Sequence, residues 1–409
     1  MLQTAELLFN VIYPVCAVVG FITCGYKVRD LLRGPRSAAL VALVVARLWP
    51  ALSFTVATPW VYRQFDQWIG IPNTATLLVY SLIVLNSVTA QVLLLLWSHP
   101  PEVARRKALP RLAACAAVLV TMTVLFVAAD VTSERPVDFD VYYARTPLIA
   151  AFLIIYLAFF AIGLGTSAWM TWRFSRAVDR PWLRRGLQLN AIGALFGLGY
   201  DLAKTVSIVA RWAGSSQLDA VNVIGAPVSA STGALLIAIS STLPAWGPRA
   251  EQQWRWKRAY RRLEPLWLAL YRAEPSIALH PPRPTWRDRW DVRDIEYRLY
   301  RRLIEIRDGH HALRPWFRDD VAATARRDAA GKGASGEGLE AAVEAAMLIA
   351  ALQARTRDEP AVGTVQPPAP PPPASDRNLD DDSSWLVAVS EAMRASAVHS
   401  RPDSRNTVG

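Results

Sequence analysis

Seven long apolar segments within the first 245 residues constrain the fold more than any other feature of the sequence. A helix needs about 20 apolar residues to cross a hydrocarbon core about 30 Å thick, because lipid offers its backbone no hydrogen-bond partner. The segments cover residues 7–26, 38–60, 74–98, 112–129, 148–171, 187–210 and 220–243. The sequence therefore predicts an all-α fold, in which a seven-helix transmembrane bundle precedes a small helical region.

The basic residues between these segments predict how the chain is oriented. Cytoplasmic loops of membrane proteins are enriched in Lys and Arg. The first, third and fifth loops carry Lys27, Arg29, Arg33, Arg36, Arg105, Arg106, Lys107, Arg111, Arg173, Arg176, Arg180, Arg184 and Arg185. The second, fourth and sixth loops carry Arg63, Arg135, Arg145 and Arg211. We therefore expect a multi-pass protein of the cell membrane with its N-terminus outside and its C-terminal region in the cytoplasm.

Composition changes along the chain and predicts four parts. Residues 1–245 form the transmembrane domain, and residues 246–358 form a basic, Trp-rich helical domain. Residues 359–378 are a Pro-rich linker, and residues 379–409 are a short helix with an acidic start and a tail. The formal net charge of +11 lies beside long apolar segments. It therefore favours the bilayer and its anionic inner-leaflet lipid as partners, with no nucleic acid expected.

Three ionisable residues interrupt the apolar segments, where a charge is costly to bury. Arg47 lies in the second segment, and Asp201 and Lys204 lie in the sixth. Asp201 and Lys204 are three residues apart and share a helix face, so one interpretation is a structural pair that neutralises itself. The other is a ligand or ion cavity in which Arg47 reaches toward Asp201. Neutral hydrogen bonds in that cavity would come from Asn86, Gln91 and Asn190.

Small residues and prolines add two expectations about the membrane helices. Gly193 and Gly197 have the GxxxG spacing that lets helices approach closely, and we assign it to packing within the chain rather than to dimerisation. Pro50, Pro59 and Pro227 are expected to kink their helices.

The fourth loop is acidic and aromatic. It contains Asp130, Glu134, Asp138, Asp140, Tyr142 and Tyr143. We interpret it as a solvated loop that lacks positive charge. The alternative is a site for an external cation or cationic ligand.

Helical periodicity continues beyond the membrane segments. Apolar residues recur at helical spacing in residues 251–272, which predicts an amphipathic helix with a basic second face. A second helix is predicted from Asp288 or Asp291 to Gly309, and a third over residues 339–355. We expect these helices to pack as a small bundle, the alternative being a coiled-coil dimer. A tail helix that follows three aspartates and ends near Ser396 is expected to dock on the basic bundle.

Chemistry-bearing motifs are sparse. The densest polar cluster consists of Glu305, Arg307, Asp308, His310, His311 and Arg314. Its histidines suggest a phosphoacceptor, a metal site or a pH sensor, but no ATP-binding motif follows and no third ligand has suitable spacing. We interpret the cluster as the surface end of a helix. The three cysteines lie inside apolar segments without metal-ligand spacing. We expect no catalytic residue, no metal and no cofactor, and we expect that the protein is not an enzyme.

Two strings give the sequence a resemblance to a known family. They are PLWLALYRAEPSIAL at residues 265–279 and YRLYRRLIEIRDGHHALRPW at residues 297–316. With seven preceding helices, they resemble a family of actinobacterial membrane proteins whose C-terminal domain has no known function. Members of that family are commonly labelled as transporters. The resemblance implies no substrate, cofactor or catalytic residue.

Two functions fit these observations. The first is a signalling or sensory membrane protein whose non-catalytic cytoplasmic helices recruit a protein partner. The alternative is a transporter, or an accessory of one, that uses a polar cavity around Arg47, Asp201 and Lys204. No inverted repeat is visible, although many secondary transporters are built from one.

Overall fold

The computed structural model describes residues 2–33, 37–279, 294–361 and 379–399, and the secondary structure within them is entirely helical. The prediction of an all-α fold with seven long apolar helices, followed by a helical C-terminal region, is confirmed. The chain divides into two compact units, Met1–Gly247 and Pro248–Gly409. We call them the membrane unit and the C-terminal unit.

The membrane unit is built from helices that begin and end close to the apolar segments. They are α1 (Leu2–Arg33), α2 (Ala38–Ala57), α3 (Pro59–Ile69), α4 (Thr74–Ser98), α5 (Pro101–Ala128), α6 (Phe139–Tyr142), α7 (Pro147–Ala177), α8 (Pro181–Trp212) and α9 (Ala226–Arg262). A π-helical turn, Val221–Gly225, leads directly into α9, and the division between the two units falls within α9. Proline begins α3, α5, α7 and α8, because the first turn of a helix does not need its missing N–H.

The second predicted segment, residues 38–60, is longer than the helix that forms. Thr58 is extended, with φ −61° and ψ 122°, because the following Pro59 disfavours helical backbone in the residue before it. Pro59 therefore separates α2 from α3 instead of kinking one continuous helix, and that expectation is corrected. Pro50 and Pro227 do lie inside α2 and α9.

Close helix contacts hold the membrane unit together. A Cβ added at Gly193 would lie 2.7 Å from Cγ1 of Ile237 and 2.9 Å from the carbonyl oxygen of Gly233. A Cβ added at Gly197 would likewise lie 2.7 Å from Cδ1 of Leu164 on α7. The assignment of this GxxxG spacing to packing within the chain is therefore confirmed.

The outward faces of the same helices are apolar. Leu7 is 72% exposed and Val127 is 76% exposed, and many similar side chains accompany them. Such surfaces are stable in lipid but not in water, so the membrane unit is a multi-pass bundle that contacts a bilayer.

The C-terminal unit is a helical bundle with its own apolar core. It contains the end of α9 followed by α10 (Glu264–Ala273), α11 (Ile295–Leu313), α12 (Asp319–Gly331), α13 (Glu337–Thr356) and α14 (Leu379–His399). Leu270, Leu299, Ile306, Leu348 and Val389 are fully or almost fully buried where these helices meet.

Three helix limits in the C-terminal unit differ from the sequence-based predictions. The helix predicted over residues 251–272 is divided at Leu263, because Pro265 lies in the first turn of the next helix, where its missing N–H is tolerated. Helix α11 ends at Leu313 and not at Gly309, since Gly309 provides a close contact with Leu270 instead of a helix end. The predicted start at Asp288 or Asp291 lies outside the described residues, and α12 was not predicted.

The tail helix docks on the basic bundle as predicted. Asp382 lies 3.1 Å from Nη2 of Arg307, and Asp380 accepts a 2.9 Å hydrogen bond from Nε1 of Trp256. Asp380 also lies 3.9 Å from Nη1 of Arg255. The aspartates that begin α14 therefore hold it through exposed ion pairs, and Val389 anchors it in the core.

Candidate functional site

A cavity of about 450 Å³ lies inside the membrane unit. Its walls come from α1, α2, α4, α7, α8 and α9. At one end lie α3 and residues 129–146, which connect α5 to α7 and include the short helix α6, and which we call the α5–α7 loop. Its size is within the range of pockets that bind small molecules. On α4 the lining runs from Thr76 to Trp97, which is about 30 Å of helix at 1.5 Å per residue.

The residue types along the walls explain why the helices leave this space. Many lining positions are small, including Ala46, Ala90, Gly163 and Gly233. Gly163 faces Ser87 so closely that an added Cβ would lie 1.6 Å from Oγ of that serine. The helix backbones therefore approach closely at a few glycines. The alanines and serines beside these glycines are too small to fill the remaining space between the helices, and the cavity lies there.

One polar cluster in the cavity is centred on the carbonyl oxygen of Ile237. Arg47 donates to this oxygen from Nη1 at 3.3 Å, and Ser240 donates to it from Oγ at 2.8 Å. Asn190 in turn donates from Nδ2 to Oγ of Ser240 at 3.3 Å. Helices α2, α8 and α9 thus bring an arginine, a serine and an asparagine together, and we call this set the Arg47 cluster.

The guanidinium of Arg47 is poorly satisfied. Its Nε is buried without a hydrogen-bond partner. No acidic side chain forms an ion pair with it in the part of the chain that the structure describes. An arginine carries five N–H donors and is charged under all ordinary conditions. The Arg47 cluster therefore holds a positive charge that its own surroundings do not neutralise.

A second charged cluster lies at the end of the cavity formed by the α5–α7 loop. The carboxylate of Asp140, which is 2% exposed, accepts from Nζ of Lys204 and from the hydroxyl of Tyr80. Nζ of Lys204 also lies 3.4 Å from the Tyr80 hydroxyl and 5.3 Å from the ring centre of Tyr200. We call this set the Lys204 cluster.

Aromatic packing fixes the Lys204 cluster. The rings of Tyr80 and Tyr156 stack with centres 4.2 Å apart, and the hydroxyls of Tyr156 and Tyr200 lie 3.0 Å from each other. These tyrosines come from α4, α7 and α8. Their contacts hold the ion pair between three membrane helices and the α5–α7 loop.

A polar network positions the loop that carries Asp140. Asn73, at the start of α4, donates from Nδ2 to the carbonyl oxygens of Val131 and Ser133 at 3.0 and 2.8 Å. Its φ of 63° is a left-handed conformation that asparagine tolerates. Asp66 of α3 accepts from the backbone N–H groups of Asn73 and Ala75. Burial raises the pKa of Asp66, and those two N–H groups act against the increase.

The structure brings together only part of the predicted cavity. Arg47, Lys204, Asn86 and Asn190 line it, whereas Asp201 and Gln91 are not among its lining residues. Gln91 accepts a 3.2 Å hydrogen bond from Nε of Arg111 instead.

Neither predicted partner of Asp201 is its partner in the structure. Lys204 pairs with Asp140, and Arg47 donates to Ile237. Oδ1 of Asp201 is buried and has no hydrogen-bond partner among the described residues. The interpretation of Asp201 and Lys204 as a self-neutralised pair is therefore corrected, because a residue 64 positions away supplies the carboxylate.

The α5–α7 loop is only in part the solvated loop that the sequence predicts. Asp130 and Glu134 are exposed, as expected of a solvated loop, but Asp140 is buried and ion-paired. The aromatic residues that surround Asp140 in the sequence were the available signal, because aromatic neighbours favour burial. Ser240 and Tyr80 were missed entirely, since single serines and tyrosines are common in membrane helices.

The predicted polar cluster of the C-terminal unit does not converge on one site. Glu305 accepts from Nε1 of Trp267 at 2.7 Å and from Nη2 of Arg301 at 2.8 Å, while Arg307 pairs with α14. Asp308 and His311 are exposed, and Nε of Arg314 is buried without a hydrogen-bond partner.

His310 is the deeply buried member of this predicted cluster. Its ring packs edge-on against Phe317 at 5.1 Å. Its Nε2 lies 3.2 Å from Oε1 of Glu344, although not in hydrogen-bond geometry. No group of three His, Cys, Asp or Glu residues suited to a metal ion occurs among the described residues. The expectation of an exposed helix end is therefore wrong for His310, which belongs to the packed interior.

Comparison with known proteins gives one match, and it falls in the C-terminal unit. Residues 252–396 match a family of unknown function, DUF6545. No curated protein and no solved structure matches the chain. The matched range does not include the cavity.

Proposed function

We propose that this chain is a sensory membrane protein, in which a small solute in the cavity controls a protein partner of the C-terminal unit. The observation that carries the proposal is a cavity with buried charge inside a seven-helix bundle. A charge buried in a membrane protein is expensive to keep and generally serves a function. The C-terminal unit is then the output, because it is compact and because helix α9 continues into it from the membrane unit.

A route between the two parts exists in the chain itself. Helix α9 supplies Ile237 and Ser240 to the Arg47 cluster and Trp256 to the core of the C-terminal unit. A solute that displaces Arg47 from Ile237 alters the contacts of α9. Such a shift biases the output only if the two states of the bundle differ in their affinity for the solute.

Photo-crosslinking of the full chain in intact cells tests this proposal. Benzoylphenylalanine replaces Tyr300, which is 53% exposed on α11, and in a control it replaces Val127 on the lipid-facing side of α5. We expect Tyr300 to capture one soluble protein that Val127 does not capture. The yield should change in Arg47→Gln but not in Arg145→Gln, a matched control because Arg145 also donates to a backbone carbonyl oxygen, that of Arg211.

Two results would contradict the sensory function. The first is the absence of any captured protein at Tyr300 and at other exposed positions of the C-terminal unit. The second is a captured protein whose yield stays the same in Arg47→Gln and in Lys204→Met. Protein level and size-exclusion profile of each variant exclude simple misfolding as the cause.

Transport is the second candidate, and the length of the cavity favours it. A lining that follows α4 for about 30 Å is comparable to the thickness of a bilayer core. Proteoliposomes loaded with inorganic phosphate, benzoate or choline provide the test. Flux that exceeds that of protein-free liposomes and is lost in Arg47→Gln would favour transport over sensing.

We further propose that the N-terminus lies outside and the C-terminal unit lies in the cytoplasm, facing anionic lipid. The distribution of Lys and Arg over the loops supports this orientation. An impermeant maleimide on intact cells should label Gln67→Cys, near the end of α3, but not Arg106→Cys, near the start of α5. The native cysteines are all buried, so the background is low. Labelling of Arg106→Cys alone would reverse the assignment.

A further inference from the structure

We infer that the Arg47 cluster is a binding site for a small oxyanion, a carboxylate or a phosphate. This inference rests on the proposed function, since it names the chemical class of the solute that the cavity accepts. The two sources of such a group are a soluble anion and the headgroup of an anionic lipid.

Charge in the cavity lining carries the first step. The charged side chains among the lining residues are Arg47, Lys204 and Asp140. Lys204 and Asp140 pair with each other, so their charges cancel. Among the described residues, Arg47 donates only to a neutral group, the carbonyl oxygen of Ile237. The lumen therefore carries one positive charge in excess, and an anion of one negative charge neutralises it.

Distance separates this charge from the Lys204 cluster. Nε1 of Trp49, two residues from Arg47 on α2, donates to Oγ1 of Thr89 on α4 at 3.1 Å. Tyr80, which contacts Asp140, lies nine residues from Thr89 on the same helix, or about 14 Å along its axis. Asp140 is therefore occupied elsewhere, and a ligand at Arg47 need not break the Lys204 pair.

Hydrogen-bond donors complete the site. The guanidinium is a planar fork that matches the two oxygens of a carboxylate or phosphate. Asn190 uses one of its two amide hydrogens on Ser240 and keeps the second available for a ligand. Arg47 and Asn190 come from different helices, so an anion held between them joins α2 and α8, and Ser240 of α9 orients the Asn190 amide by accepting its other hydrogen.

An unpaired guanidinium surrounded by neutral groups selects against cations. A cationic solute would meet repulsion from Arg47 and would find no unpaired carboxylate among the lining residues. Choline is therefore a suitable negative probe, and a cation that bound at this cluster would contradict the charge argument.

Equilibrium binding to the purified full chain in phosphatidylcholine nanodiscs tests the inference. Inorganic phosphate and benzoate are titrated while the melting temperature is followed, with choline chloride as the control. We expect one of the two anions to raise the melting temperature of the wild type. In Arg47→Gln the affinity should fall roughly tenfold or more, because a charge-assisted hydrogen bond is lost. Arg145→Gln should bind like the wild type.

A second arm identifies a lipid source. Phosphatidylglycerol is added to the nanodiscs, and native mass spectrometry counts the lipids retained by each variant. Retention that depends on Arg47, without binding of either soluble anion, supports the oxyanion site and assigns it to a headgroup. Arg47→Lys keeps the charge but loses the fork, so it should bind more weakly than the wild type and more tightly than Arg47→Gln.

Three results would overturn the inference. They are no binding of phosphate, benzoate or phosphatidylglycerol to the wild type, equal binding to the wild type and Arg47→Gln, and binding of choline at the same site. If Arg47→Gln does not fold, the wild-type titrations and the weaker binding expected of Arg47→Lys still test the inference.

The experiments test the sensory function and the oxyanion site separately. Arg47-dependent anion binding with no change in crosslinking at Tyr300 supports the site and refutes the sensing role. Crosslinking that depends on Arg47 in a protein that binds no anion refutes the site alone.

Discussion

Removing the carboxylate of Asp140 should destabilise the membrane unit strongly, because it leaves Lys204 charged and buried. Lys204 is 7% exposed and Asp140 is 2% exposed. Breaking one partner of a buried ion pair costs about 3–5 kcal/mol, since the remaining charge has lost its compensation. For a unit of this size, each kcal/mol lowers the melting temperature by about 2–4 °C. We therefore expect Asp140→Asn to melt roughly 6–20 °C below the wild type.

The double variant Asp140→Asn/Lys204→Met distinguishes a coupled pair from two independent contributions. Replacing both charges by neutral groups of similar size is often nearly neutral, because the desolvation cost of the charges disappears together with their attraction. The double variant should therefore melt well above Asp140→Asn alone. Asp201→Asn is the matched control, because Asp201 is also buried but forms no ion pair with any of the described residues. We expect little loss from it.

The assay is thermal unfolding of the purified full chain in one detergent, followed by the fluorescence of an added thiol probe or by aggregation. Ligand-free conditions are needed, since a bound solute stabilises the folded state by mass action. A double variant that loses the sum of the two single effects would refute the reasoning, because independent contributions add. So would an Asp201→Asn loss as large as that of Asp140→Asn.

Three further predictions concern packing, the tail helix and pH. Gly193→Ala should lower the free energy of unfolding by about 1–3 kcal/mol, because the new methyl group would overlap Ile237 and the Gly233 carbonyl. The control is Gly165→Ala, whose methyl group meets no described neighbour within 4 Å, and equal melting temperatures of the two variants would contradict the contact. Asp380→Lys/Asp382→Lys should speed hydrogen exchange in α14 roughly two- to thirtyfold, because each exposed ion pair contributes about 0.2–1 kcal/mol. Asp381→Lys, at an exposed position between them, should leave the exchange rate unchanged, and similar rates in the two variants would show that the ion pairs do not hold the tail helix. Hydrogen bonds from Ser276 and then Arg355 hold the pKa of Glu274 below its usual value. The stability that Glu274 contributes is therefore complete above the pKa of the unfolded chain and is lost as pH falls through the lower pKa of the folded chain. The difference in stability between the wild type and Glu274→Gln should close in that acidic range, and a difference that grows there would contradict the prediction.

Much of the fold follows from the sequence for one physical reason. Lipid requires each crossing segment to satisfy its own backbone and to be apolar over a fixed length, so hydropathy alone locates the seven spans. The close contact at Gly193 was also predictable, because small residues at helical spacing are what allow two backbones to meet. In the C-terminal unit, helical periodicity located the core-facing side chains of α10 and α11.

Helix limits were predicted less well where a residue has two possible roles. A proline in an apolar segment predicts a kink, but Pro59 begins a new helix after the extended Thr58. A glycine at the end of a periodic stretch predicts a helix end, but Gly309 allows Leu270 to pack closely against α11. Sequence shows that such a residue is unusual without showing which neighbour requires it.

Partner choice was decided by tertiary structure alone. Local spacing suggested Asp201 as the partner of Lys204, but Asp140 reaches it from a loop that Asn73 and Asp66 fix in place. Which carboxylate meets a buried amine depends on how distant segments pack, and residue spacing contains no record of that. The sequence by itself determined that seven helices are apolar enough to cross the membrane and that Arg47 lies within the second of them. Only the packing of α2 against α9 decided that its charge has no acidic partner among the residues that the structure describes.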